Sequence, residues 1–244
     1  MGNCCSTKVG VVEEPISLDS NKIVIAEEPL SQEKAIGELQ TQSISLDPNE
    51  IAMWKRNVAD MLAASELMTY ALARKRQDFS TTSSLIEFLQ NSPAKSKLAR
   101  AWVIYVWISH NIAYNIDGYR SHNYGLNDAE SVLRTGTSVC AGYSNLFATL
   151  ARALDLDVLE VSGYSKGFGY QIGKGWEKSD HAWNAFKVKG KWYFIDATWG
   201  AGHASASYEF KFQFQPYWFA VPYGVMVNDH LPEYEKRLSL EVGY

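Results

Sequence analysis

Thr137-Ser138-Val139-Cys140-Ala141-Gly142-Tyr143-Ser144-Asn145-Leu146-Phe147 is the stretch around which the rest of the chain can be placed. Leu146, Phe147, Leu150 and Leu154 recur at helical spacing, and Thr137 or Ser138 stands where an N-cap is expected, so Cys140 falls in the first turn of an apolar helix. Unpaired backbone N–H groups and the positive end of the helix dipole favour a thiolate there, and a thiolate is a nucleophile. Working outward, His181 lies 41 positions on, in Asp180-His181-Ala182-Trp183-Asn184-Ala185-Phe186-Lys187-Val188, and Asp196 a further 15, closing Lys191-Trp192-Tyr193-Phe194-Ile195-Asp196. Gly190 between the two runs reads as the turn of a hairpin. Antiparallel neighbours can set an imidazole beside a carboxylate, which fixes the ring's tautomer and stabilises its protonated form. Asp180 is rejected as that carboxylate, because successive strand side chains point to opposite faces and it turns away from His181. A lone cysteine at a helix start is commonly a small buried hydrophobe. Thiol, imidazole and carboxylate in this order favour instead a cysteine nucleophile with an oriented base.

Further segments follow in order: Trp107-Ile108-Ser109-His110-Asn111-Ile112-Ala113-Tyr114 ahead of the thiol, Ser162-Gly163-Tyr164-Ser165-Lys166-Gly167-Phe168-Gly169-Tyr170 behind it, then His181-Ala182-Trp183-Asn184, Asp196-Ala197-Thr198-Trp199-Gly200 and a late His230-Leu231-Pro232-Glu233. With Val139-Cys140-Ala141-Gly142-Tyr143 they resemble the transglutaminase-like superfamily of papain-type cysteine enzymes, and within it the kyphoscoliosis-peptidase-like branch, over roughly residues 80 to 240. The resemblance implies Cys140 as nucleophile, His181 as general base and acid, and Asp196 as the orienting carboxylate. It also implies a nucleophile helix packed against an antiparallel sheet that carries base and acid. Acyl transfer through a thioester follows as the expected chemistry, tilted by the resemblance toward hydrolysis of a protein substrate in the cytoskeleton or cell cortex. Transamidation onto a protein amine and a catalytically silent, membrane-tethered scaffold are the alternatives.

Composition suits a modest globular enzyme: 244 residues, 46% hydrophobic and 13% aromatic, leave ample material for a core. The first 45 residues contain no Trp, Tyr or Phe and carry three lysines against seven acidic residues, a net of −4, while the remainder is neutral. That front reads as a disordered tail. No basic stripe or interleaved aromatic patch suggests nucleic-acid binding. Met1-Gly2-Asn3-Cys4-Cys5-Ser6 fits the pattern for myristoylation of Gly2, with Cys4 and Cys5 placed for S-palmitoylation. A single myristoyl chain anchors marginally, and with Lys8 the only base before Lys22 the second signal cannot be electrostatic, so acylation of Cys4 or Cys5 is expected to supply it. No apolar run approaches the roughly 18 residues of a spanning helix. The expected location is the cytoplasmic face of a membrane, the plasma membrane first. Outside the tail Cys140 is the sole cysteine, which suits a reducing compartment.

Between tail and core, Asp47-Pro48-Asn49-Glu50 opens a helix whose stripe of Ile51, Trp54, Val58, Met61 and Leu62 runs on to about Arg76. Thr82 or Ser83 caps a short helix, Ser96 opens a longer one, and strands are expected over 158–162, 182–188, 191–195 and 210–215. Helices first and an antiparallel sheet later define an α+β domain. The division is a lipid-anchored tail over 1–45, a helical extension over 46–79 and a transglutaminase-like domain over 80–244. His110 ends a helix, His122 and His203 fall in loops, and His230 is expected to cap or pack rather than react. The five histidines look dispersed, there is no CxxC pair in the core, and no metal or other cofactor is expected. The glycine-rich 163–175 stretch misses phosphate-loop spacing and reads as a loop beside the Cys140 cleft. Tyr164, Tyr170, Trp183 and Trp199 are the candidate cleft residues, with Trp176 a further apolar wall. Trp183, two positions along the strand, is expected to share the face of His181 and shield it from water.

Overall fold

The computed structural model describes residues 31–41, 46–167, 170–172, 178–205 and 207–234. Gly2, Cys4 and Cys5 lie outside the described residues, as do Trp176 and much of the glycine-rich loop.

Asp47 caps the helix α2 (Pro48–Ala63) through Asn49 N–H, with proline at the start where its missing donor costs nothing; it follows α1 (Gln32–Gln40). The expected continuation to Arg76 breaks at Ala64, whose ψ of 68° leaves the helical region, and α3 (Ser65–Leu72) resumes beyond it. Thr81, one residue before the expected cap, closes a capping box with Ser84 and starts α4 (Thr82–Gln90). Ser96 caps α5 (Lys97–Asn111) as its sequence predicts. β1 (Ala113–Tyr114), α6 (Ile116–Ser121), α7 (Ala129–Thr135) and β2 (Thr137–Ser138) lead into α8 (Cys140–Ala153).

Downstream come β3 (Val158–Ser165), β4 (His181–Val188), β5 (Lys191–Ile195), α9 (Ala197–Ala201), β6 (Gly202–Ala204), β7 (Phe210–Phe212), α10 (Tyr223–Met226) and β8 (His230–Pro232). An antiparallel sheet in the order β5-β4-β3-β8 forms the centre. The expected strand over 210–215 stops at Phe212, because Gln213 and Gln215 donate instead to Ala201 O and Gly200 O. This is the expected α+β architecture, with α8 packed on β3 and β4.

Two apolar clusters lie on the two sides of that sheet. The larger joins α5 and α8 to Val158, Phe186 and Ile195; the other joins Leu159, Val161, Trp183, Ala185, Trp192 and Phe194 to Ala35 and Leu39 of α1 and Trp54 of α2. Residues 31–41 therefore correct the expectation of disorder through residue 45: a sheet with two apolar faces needs a cover on each, and α1 supplies part of one. Leu39 is fully buried, Glu38 accepts from Lys187 Nζ and Trp192 Nε1, and Trp54 Nε1 donates to Phe219 O at 2.9 Å. Of the methionines on α2 and α3, Met61 and Met68 pack against the core while Met53 is exposed.

Candidate active site

Cys140 is the first residue of α8. Its N-cap is Val139, which offers no side-chain acceptor, so the expectation of a Thr137 or Ser138 cap is corrected. Those two residues are held elsewhere: β2 pairs in parallel with β1, aligning Tyr114 with Ser138, and Ser138 Oγ donates to Asn127 Oδ1 at 3.0 Å. The helix end is thus fixed by the strand before it, with its first N–H groups uncapped by any side chain of its own. Gly142 makes this possible, since a Cβ there would collide with Ser138 Oγ and Val132.

His181 begins β4, and its Nε2–H donates to Asp196 Oδ2 at 2.7 Å. Asp196 follows β5, fully buried, and caps α9: its Oδ1 accepts from Thr198 N–H at 2.8 Å and Trp199 N–H at 3.0 Å. The hairpin read from Gly190 sets the two elements side by side, with Asn184 opposite Ile195. Burial alone would drive the imidazole toward its neutral form. The charge and hydrogen bond of Asp196 outweigh it, with a smaller push from Cys140, and the pKa of His181 is raised to about 10. Burial likewise opposes the charge on Asp196, yet His181 and the hydrogen bonds hold that carboxyl well below the usual carboxylate range. Asp180 is engaged elsewhere, accepting from Ser165 N–H at 2.8 Å.

His230 also meets Asp196. Its Nε2–H donates to the same Oδ2 at 3.0 Å, and the ring is completely buried among Trp183, Trp199 and Trp218. The reading of the histidines as dispersed is therefore corrected: the ligand-type atoms of His181, Asp196 and His230 lie within 4.8 Å of one another. These are the residues that could hold a metal among those described, although here each Nε2 is already spent on Asp196. His110, by contrast, bonds Val106 O through Nδ1 and packs on Phe214; burial lowers its pKa, so its place in the fold is structural.

A cavity of about 440 Å³ opens beside His181. Tyr114, Tyr119, Trp199, Tyr208, Phe210 and Trp218 give it aromatic walls, and Asp180 and Arg120 give it charge. Of the expected cleft residues that are described, only Trp199 walls it. Trp183 lies buried, its ring centred 5.8 Å from His181, the shielding position its spacing predicts. Tyr164 is buried within β3, on the opposite side of the strand from Gly163 and Ser165, and Tyr170 lies apart from the walls. His203, expected in a loop, lies instead in β6, exposed, and borders the cavity. Tyr114, Tyr119, Trp218 and His230 were not legible as site residues, since strand register and loop path, rather than any local motif, bring them here.

Residues 87–197 match the family model described as the Transglutaminase-like superfamily, so the chain carries a transglutaminase-like domain. Over 142 residues it is 34% identical to Kyphoscoliosis peptidase of Mus musculus, covering 57% of this chain and 22% of that protein. The Homo sapiens protein of the same name gives the same identity and coverage. Lim and transglutaminase domain protein ltd-1 of Caenorhabditis elegans is 31% identical over 133 residues, covering 52% of this chain and 18% of its own. The chain thus spans about a fifth of the length of these relatives.

Proposed function

We propose that this chain is a membrane-anchored cysteine hydrolase that cleaves peptide or amide bonds in protein substrates through Cys140, His181 and Asp196. The observation that carries this reading is the buried His181 Nε2–Asp196 Oδ2 bond, which leaves Nδ1 of the imidazole for the thiol of Cys140. Cys140 as thiolate attacks the substrate carbonyl carbon. The oxyanion that forms is bound by the uncapped N–H of Cys140, and collapse expels the amine with the proton from His181 Nδ1. Water then attacks the thioester, giving its proton to His181, and the released thiolate restores the starting pair. Asp196 holds the ring and balances its charge throughout. Acceptance of an amine in place of water would give a crosslink from the same thioester.

The name of the mammalian relatives supports the hydrolytic choice, and a cytoskeletal substrate remains the working target. Myristoylation of Gly2 with acylation of Cys4 or Cys5 would hold the enzyme on the cytoplasmic face of the plasma membrane. Among the described residues no helix is long and apolar enough to cross a membrane. The test is to incubate cytoskeletal extract with the protein or its Cys140→Ala variant, alongside a primary-amine probe, and to map new N-termini and probe adducts by mass spectrometry. New N-termini that require Cys140 are expected. Probe incorporation without cleavage would mark a transamidase, and neither product would mark a scaffold.

A further inference from the structure

The catalytic reading uses three side chains, but the carboxylate at its base has a fourth donor that it leaves unexplained. Asp196 accepts from the two α9 N–H groups on Oδ1 and from two histidines on Oδ2. We infer that His230 is a positioning residue: as a neutral imidazole with its proton on Nε2, it fixes Asp196 ionised and turned toward His181. This rests on the triad reading above.

Topology brings the two rings together. β3 lies between β4 and β8, with Gly163 opposite both His181 and Pro232, and Ser165 opposite His230. Gly163 and Ser165 fall on one face of β3, so both histidines address that face from the neighbouring strands. Glycine at 163 is required by this arrangement, since a Cβ there would collide with the Trp183 ring and Leu231 O.

The tautomer and charge of His230 follow from its surroundings. A carboxylate oxygen can only accept, so Nε2 must carry a proton. Nδ1 is buried with no partner among the described residues. A bare lone pair there is tolerable, whereas an imidazolium would bury a charged N–H with no acceptor. The charged groups that face the ring are Asp196 and Asp229, which favour protonation, and His181, which opposes it. Burial is the largest influence and lowers its pKa. Trp183, Trp199 and Trp218, with ring centroids at 5.0, 4.4 and 5.1 Å, leave the imidazole little freedom to turn. Asp196 is itself fully buried, so each donor it loses moves it toward the neutral acid, which cannot stabilise an imidazolium at His181.

Two measurements test this, both on protein carrying Cys4→Ser and Cys5→Ser. First, ¹⁵N spectroscopy of the histidines across pH 5 to 8 is expected to find His230 neutral and protonated on Nε2; an imidazolium, or a proton on Nδ1, overturns the inference without any variant. Second, iodoacetamide alkylation of Cys140 is followed against pH in the His230→Leu and His230→Gln variants, with melting temperatures alongside. Leucine removes the donor, and is expected to shift the acidic limb of the profile to higher pH and slow alkylation near pH 6 about tenfold. Glutamine, whose amide N–H can reach Asp196, is expected to stay within about twofold of the parent. A lower melting temperature for His230→Leu with an unshifted profile would reduce His230 to packing and overturn the inference. Failure of the triad reading shows separately, as alkylation in the parent that does not respond to His181→Ala.

Discussion

Asp196 gathers four hydrogen bonds while buried, and this is where a single atom matters most. Asp196→Asn keeps the shape but must turn either its amide N–H groups toward His181 and His230 or its carbonyl away from the α9 N–H groups; catalysis is expected to fall by about 10⁴-fold, measured as turnover of whichever substrate the cleavage screen yields. Stability should carry the same signature. With its pKa raised, the stabilising contribution of His181 is complete below the unfolded value of about 6.5 and is lost as pH climbs through about 10. With theirs lowered, Asp196 and His230 act in the other direction: stability falls as pH drops below about 6.5 for His230, and below about 3.9 for Asp196. Urea titrations should therefore find the advantage of the wild type over His181→Gln shrinking from pH 6.5 to 10; an advantage that grows would contradict the ion pair. Cys140, His181 and Asp196 were legible in sequence because each closes or opens a locally readable element. His230 was not, because its partner is set by the pairing of β8 with β3, which no spacing within its own segment encodes.

Among the elements, the contact between α8 and β4 decides whether Cys140 and His181 meet. One turn beyond Cys140, Ser144 Oγ donates to Trp183 O at 2.9 Å, and Asn184 Nδ2 returns donors to Ser144 O at 3.1 Å and Leu159 O at 3.2 Å. All of these groups are buried, so Asn184→Ala leaves two carbonyls short of a donor and is expected to cost about 1–3 kcal/mol. Chemical denaturation measures it, and a cost below about 0.5 kcal/mol would show that the clamp is not needed. Hydrophobic spacing predicted α8 and the hairpin closely, since burial of one face imposes a period that survives in sequence. Caps were less legible. Thr137 and Ser138 have the right chemistry for capping α8, but their backbone is claimed by β1 and the Ser138 hydroxyl by Asn127.

For the molecule as a whole, the two faces of the sheet explain why residues before the transglutaminase-like domain are ordered at all. Composition assigned residues 31–41 to an acidic, aromatic-free tail, and composition is blind to a short helix that needs only Ala35 and Leu39 to seat itself. Leu39→Ala should cost about 2–5 kcal/mol in denaturant unfolding if α1 is an integral cover; a change within about 0.5 kcal/mol would detach α1 from the fold. Ahead of that helix, Gly2→Ala is expected to release the protein into the soluble fraction of a cell lysate, and persistent membrane association would exclude lipid anchoring through Gly2. The central claim remains that Cys140 and His181 form a thiolate–imidazolium pair, and its most direct measurement is the iodoacetamide alkylation rate of Cys140 against pH in the Cys4→Ser, Cys5→Ser protein, with and without His181→Ala. Rapid alkylation that persists well below pH 7 and collapses in His181→Ala is the predicted result. Alkylation that rises only near pH 8.5, the range of an ordinary thiol, and ignores His181 would contradict it.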